Sequence, residues 1–122
     1  MKKILIVDDE KNILLVLKIA LKKAGYETIL AKDGLEAIEK AREQKPDLIL
    51  LDIVLPKLNG YLVYEALQEE PKTAKIPVVF ISAKSEKEDI DKALDLGGED
   101  YLTKPLEKEK LLQTINEILE RR

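Results

Sequence analysis

Asp8, Asp9, Asp52, Ser82 and Lys104 are the residues of this chain best equipped for chemistry, and each stands where an apolar run ends. Ile4-Leu5-Ile6-Val7 runs into Asp8-Asp9-Glu10, and Leu48-Ile49-Leu50-Leu51 into Asp52. Val78-Val79-Phe80-Ile81 runs into Ser82-Ala83, and Tyr101-Leu102-Thr103 into Lys104-Pro105. Three carboxylates and one ammonium leave a surplus negative charge that one divalent cation would neutralise. Oxygen donors without nitrogen or sulfur favour Mg²⁺ or Mn²⁺, with water, a backbone carbonyl or a phosphate oxygen in the remaining positions. A carboxylate beside such a cation and a lysine suits phosphoryl transfer, where catalysis is mostly alignment and neutralisation of charge. Asp52 is then the nucleophile. Taken singly, each residue has a plainer role: Asp8-Asp9 as a helix cap, Ser82 as a turn residue, Lys104 as a solvated charge and Pro105 as a helix-start proline. Convergence of four strand ends on one crevice favours the chemical reading.

That convergence depends on the elements between the runs. Continuous aliphatic runs closed by turn residues read as strands covered on both faces of a parallel sheet. Between them lie amphipathic stretches. Helix one is expected over about Lys11–Ala24, with Ile13, Leu17, Ala20, Leu21 and Ala24 inward and Gly25 closing it. A second strand covers Tyr26–Leu30. Asp33-Gly34-Leu35-Glu36 is a capping-box pattern opening a helix with Leu35, Ile38 and Ala41 inward, before Pro46 ends the unit. After Gly60 a third helix carries Leu62, Val63, Ala66 and Leu67, and Pro71 stops it. Ser85-Glu86-Lys87-Glu88 is a second capping box, leading a fourth helix with Ile90, Ala93 and Leu94 inward and Gly97-Gly98 at its end. The fifth helix directs Leu111, Leu112, Ile115, Ile118 and Leu119 to the core, with Arg121 and Arg122 at its negative end. Five β-α units joined by right-handed crossovers give an α/β, doubly wound parallel sheet with helices on both faces. The expected order is the flavodoxin-like 2-1-3-4-5, whose switch point lies between strands one and three, beside Asp8, Asp9 and Asp52.

Composition narrows the function. The 122 residues suit one domain with a core that needs no staples. With 21 basic and 24 acidic residues interspersed, the net charge of −3 argues against nucleic-acid contact. No stretch has the length of a membrane span, and Met1-Lys2-Lys3 leads into a strand without a signal-peptide pattern. A cytoplasmic protein is expected. Cysteine and histidine are both absent, which excludes thiol nucleophiles, disulfides, Ser/His triads and a phosphohistidine within the chain.

Asp8-Asp9 after the first strand, Asp52 followed by Pro56 and Gly60, Ser82-Ala83, and Lys104-Pro105 together resemble the receiver domain of bacterial two-component response regulators. The resemblance covers residues 1–122 and implies that Asp52 accepts a phosphoryl group from a phosphohistidine on a sensor histidine kinase or histidine phosphotransfer protein. It implies Mg²⁺ held by Asp9, Asp52 and the carbonyl of Val54, with Asp8 acting through water. Lys104 would pair with the phosphoryl group, and Ser82 would hydrogen-bond it once its loop has shifted. Tyr101 matches the family's rotating aromatic, and Pro105 would follow a cis peptide bond. The surface of helix four, strand five and helix five would then bind a target, an output domain or a second copy of the chain.

Val54 and Lys84 occupy positions that in the family influence how fast the phosphoryl group is lost. Gly98-Glu99 stands where Ala-Asp is common. Two rival functions are a Mg²⁺-dependent aspartyl phosphatase of the haloacid-dehalogenase type and an unphosphorylated docking module. The first needs an acid two residues after the nucleophile, where Val54 stands, and the second would lack part of the acidic, hydroxyl and lysine set.

Overall fold

The computed structural model describes residues 1–121. Strands β1 (Lys3–Val7), β2 (Glu27–Ala31), β3 (Leu48–Asp52), β4 (Val78–Ser82) and β5 (Asp100–Thr103) alternate with helices α1 (Lys11–Lys23), α2 (Gly34–Gln44), α3 (Gly60–Glu69), α4 (Lys87–Leu96) and α5 (Lys108–Glu120). All strand pairs are parallel, and the sheet runs β2-β1-β3-β4-β5 as expected. Every residue of β3 and β4 is buried, because each strand packs helices on both faces.

The pleat sends alternate side chains of each strand to opposite layers. Leu5, Val7, Ile49, Leu51 and Phe80 join Ala37 and Ala41 of α2, Val63 and Leu67 of α3, and Ala93 of α4. Ile4, Ile6, Leu48, Leu50, Val79 and Ile81 face Leu14, Leu17 and Leu21 of α1 and Leu111, Ile115 and Ile118 of α5.

Several helix faces differ from expectation. Leu35, Leu62 and Leu94 point outward, at 54%, 46% and 41% exposure. Gly34, Ala37 and Ala41 form the seam of α2, Tyr64 joins Val63 and Leu67 in α3, and Ala93 alone is fully buried in α4. In α2 and α4 small residues let the helix approach the sheet closely, so they take the seam and Leu35 and Leu94, one position away, rotate out by about 100°; in α3 Val63, Tyr64 and Leu67 take the seam and Leu62 turns outward. In α1 the buried set is Leu14, Leu17 and Leu21; Ile13 and Ala20 are half-buried, and Ala24 is exposed at the helix end. In α5, Leu111, Ile115 and Ile118 are buried with Thr114, while Leu112 and Leu119 are half-buried. Arg121 donates to the Glu117 carbonyl at 3.2 Å; Arg122 lies outside the described residues.

The two capping-box patterns part company. Asp33 caps α2, its Oδ1 accepting from the Glu36 amide at 2.8 Å, and Glu36 Oε1 reaches back to the Lys32 amide at 3.2 Å. Ser85 caps nothing: α4 starts at Lys87, and the residue at its cap position, Glu86, makes no side-chain cap bond. The preceding loop is held at both polar groups of Lys84, by Ser82 Oγ on its amide and Tyr101 Oη on its carbonyl. Glu86 therefore stays extended, with ψ of 144°, and the helix begins later than the pattern suggests. Gly97, at φ of +120°, closes α4 in a conformation other residues rarely adopt.

The Asp33 cap carries a prediction. Its hydrogen bond from Glu36 holds the carboxyl below the ordinary range, against the opposing effect of burial and with help from Lys57. A depressed folded value means that the cap's stabilisation is present above the unfolded value and is lost as pH falls through the folded one. Asp33→Ala is expected to cost about 1 kcal/mol at pH 7 and less near pH 3, read by urea unfolding.

Candidate functional site

The site is assembled by register. Val7 pairs with Leu51, so Asp8 and Asp52 emerge side by side at the carboxyl edge of β1 and β3. Ser82 pairs with Thr103, which brings Lys104 to the same edge one residue later. Asp8 and Asp52 are 0% and 3% exposed, whereas Asp9 is open to solvent. One carboxylate oxygen each from Asp8, Asp9 and Asp52 lie within 4.8 Å of one another.

Lys104 Nζ sits between the two buried carboxylates, 2.9 Å from Asp52 Oδ2 and 2.9 Å from Asp8 Oδ2. The contact with Asp52 is a hydrogen bond. That with Asp8 is an ion pair outside hydrogen-bonding geometry, so buried Asp8 Oδ2 accepts no hydrogen bond. Asp52 Oδ1 accepts from the Val54 amide at 3.1 Å, and Asp8 Oδ1 accepts from the Glu10 amide at 2.9 Å. A buried carboxylate oxygen without a donor, beside two more carboxylates, fits a hard cation such as Mg²⁺ or Mn²⁺.

Charge is under tension here. Burial pushes the Asp52 carboxyl above the ordinary range; the Lys104 hydrogen bond opposes this, and the charge of Asp8 reinforces it. Burial would lower Lys104, but its contacts with Asp52 and Asp8 outweigh that and hold the ammonium above its usual value. The lysine is therefore held charged between the two carboxylates, and burial disfavours ionisation of Asp52 relative to a solvated carboxyl.

Around this core, Ser82 is fully buried and Tyr101 nearly so. Tyr101 Oη donates to the Lys84 carbonyl at 2.6 Å, while the Lys84 amide donates to Ser82 Oγ at 3.1 Å. The Lys104–Pro105 peptide is cis. Gly60 is required by close approach: a Cβ there would lie 2.5 Å from the Asp52 carbonyl oxygen and 2.7 Å from the Ile53 Cα.

The structure thus brings Asp8, Asp9, Asp52 and Lys104 together directly, and places Ser82 at the end of β4, Tyr101 in β5 and Pro105 in the turn that follows it. The Val54 side chain faces solvent at 58% exposure, away from the core of the site. Sequence reasoning missed Glu10, whose Oε1 is 3.8 Å from Lys104 Nζ, and the double hold on the Lys84 backbone. The third acid in Asp8-Asp9-Glu10 was a signal for the first; nothing local announces the second.

Two grooves flank the site. One, of about 560 Å³, runs between α1 and the β5–α5 turn past Ile13, Val16, Ala83, Lys104 and Pro105. The other, of about 240 Å³, lies along Ile90, Tyr101, Leu106, Lys110 and Leu111. No helix among the described residues is long and apolar enough to cross a membrane.

Comparison with known proteins bears on the family and the fold. The family model for the response regulator receiver domain matches residues 4–116. The alkaline phosphatase synthesis transcriptional regulatory protein PhoP of Bacillus subtilis is 42% identical over 120 residues, which are 98% of this chain and 49% of PhoP. Protein PilH of Pseudomonas aeruginosa is 40% identical, with 98% of each chain covered. The chain therefore spans about half of the first relative and nearly all of the second. Among solved structures, the chemotaxis protein CheY4 of Vibrio cholerae superposes with a TM-score of 0.91 at 30% identity, over 97% of this chain and 98% of that one. A two-component response regulator of Clostridium difficile gives 0.92 at 36% identity, over 99% and 98%.

Proposed function

The chain belongs to the response regulator receiver family, and from that premise we propose that residues 1–122 form a receiver module in which Asp52 takes a phosphoryl group from a phosphohistidine on a sensor histidine kinase or histidine phosphotransfer protein. The observation that carries this is Lys104 Nζ placed 2.9 Å from both buried carboxylates, Asp52 and Asp8, with Asp9 beside them. In the transfer the P–N bond of the donor breaks as a P–O bond forms to Asp52, and the donor imidazole, already protonated on its other ring nitrogen, leaves as the neutral ring. Asp9, Asp52 and the Val54 carbonyl would hold Mg²⁺ or Mn²⁺, with Asp8 acting through water; the bound cation shields charge on the transferring oxygens. Lys104 supplies the protein's own positive charge to the same oxygens.

A buried hydroxyl has both a donor and an acceptor side. Ser82 can keep accepting from Lys84 while it donates to a phosphoryl oxygen, and Tyr101 follows the same loop through the Lys84 carbonyl. Added charge at Asp52 is thereby transmitted to α4, β5 and α5, where a target protein, an output domain or a second copy binds. The module is a cytoplasmic switch that catalyses its own phosphorylation and dephosphorylation without steady turnover, and it makes no nucleic-acid contact itself.

Intact-protein mass after incubation with acetyl phosphate tests this. One phosphoryl adduct is expected on the wild type with Mg²⁺, and none without Mg²⁺ or on Asp52→Asn. No adduct from acetyl phosphate or from phosphorylated kinases overturns the acceptor role and leaves a docking module.

A further inference from the structure

The capping motif at α2 is not absorbed by the function above, yet its residues grip the loop that carries Val54. That loop, 53–59, leaves β3 directly after Asp52 and returns to it, since the Gly60 amide donates to the Ile53 carbonyl at 2.7 Å. Between these points it leans on the start of α2. Gly34 is buried, and a Cβ on it would lie 2.8 Å from Leu58 Cβ, 2.8 Å from Val63 Cγ2 and 2.9 Å from the Leu58 carbonyl oxygen. The adjacent Lys57, at φ of +70°, places its Nζ 3.5 Å from Asp33 Oδ2, while Asp33 Oδ1 caps the helix.

From these contacts we infer that Gly34 and Leu58 are positioning residues: the amino-terminal turn of α2 is a brace that sets the height of the 53–59 loop, and hence of Val54 against Asp52. The inference rests on the phosphoacceptor reading of Asp52. Among the described residues the loop is hydrogen-bonded near its ends, through the Ile53 amide on the Ile81 carbonyl, the Val54 amide on Asp52 Oδ1 and the Gly60 amide on the Ile53 carbonyl. Its middle is held by packing: Leu55 and Leu58 lie against the core, and Leu58 meets the start of α2 at Gly34. A methyl group at Gly34 meets backbone, which rotamer changes cannot clear, so the loop itself must shift.

Gly34→Ala, which overfills the contact, and Leu58→Gly, which removes the Cβ that Gly34 meets, test the brace together. Ala41→Gly is the control, because it weakens the same helix about 10 Å away without touching the loop. Calorimetric titration with Mg²⁺ alone is expected to show roughly tenfold weaker binding in both brace variants and wild-type binding in the control. Amide exchange of Val54 and Gly60 in metal-free protein is expected to be about tenfold faster in the same two variants. Wild-type Mg²⁺ affinity and exchange in a folded brace variant, or equal losses in Ala41→Gly, would overturn the brace. Should Gly34→Ala not fold, Leu58→Gly decides. Absence of Mg²⁺ binding by the wild type would instead count against the cation site, and exchange alone would then judge the brace.

Discussion

Asp52→Asn is expected to make the metal-free protein more stable at neutral pH, by about 1–3 kcal/mol in urea unfolding, while removing the stabilisation that Mg²⁺ gives the wild type. The sign follows from the site. Burial raises the Asp52 carboxyl, Asp8 adds to that, and Lys104 does not fully offset them. A raised folded value means that the protonated form's contribution is complete below the unfolded value, near pH 3.9, and is lost as pH rises through the folded value. Asparagine keeps the shape and stays neutral, so the gain over wild type should grow from acid toward neutral pH. Lys104 retains Asp8 at 2.9 Å, which prevents the substitution from stranding a cation. Equal stability of the two proteins between pH 4 and pH 8 would show that Asp52 ionises in the fold at no cost.

Such an arrangement is legible in sequence to the extent that it rests on strands. Short apolar runs read as strands of a sheet covered on both faces, and the candidate site residues follow those runs directly. Locating the ends of β1, β3, β4 and β5 therefore located Asp8, Asp52, Ser82 and Lys104 as well. Parallel register did the rest, since strands of similar length and direction deliver their last residues to one edge.

Helix phase was harder in α2 and α4 because the seam belongs to small residues. Leucine at 35 or 94 has more apolar surface to bury than alanine or glycine, but close packing on the sheet favours Gly34, Ala37 and Ala93. The capping boxes make a similar point. Asp33 and Ser85 match one local pattern, and only Asp33 forms the bond, because the loop before α4 is committed to Ser82 and Tyr101. Contacts such as Asp33 with Lys57, 24 positions apart, are created by the fold and have no local signature.

Lys104→Met should act in the opposite direction from Asp52→Asn, and more strongly. The substitution keeps an apolar stem of similar length but leaves two buried carboxylates with no cation between them. Removing one member of a buried ion cluster typically costs about 3–5 kcal/mol, since the remaining charge is neither solvated nor paired. About 3 kcal/mol is expected at pH 7 without Mg²⁺, because the Lys104 side chain retains 15% exposure and admits some water. The lysine's own titration does not intrude. Its raised folded value places its contribution fully below the unfolded value near pH 10.4, and that contribution is lost only as pH climbs through the still higher folded one. Two conditions should rescue the variant: mild acid, where Asp52 takes up a proton, and Mg²⁺, which replaces the missing charge. Phosphorylation should not recover with stability. Loss of one group that meets the transferring oxygens is expected to slow labelling by acetyl phosphate about 100-fold even at saturating Mg²⁺. Urea unfolding with and without Mg²⁺, beside a labelling time course, separates the two roles. Unchanged metal-free stability would show that the carboxylates do not depend on Lys104, whereas recovered labelling in Mg²⁺ would confine the lysine to holding the site together. Combining Lys104→Met with Asp52→Asn should cost less than Lys104→Met alone, since the double variant buries one carboxylate instead of two.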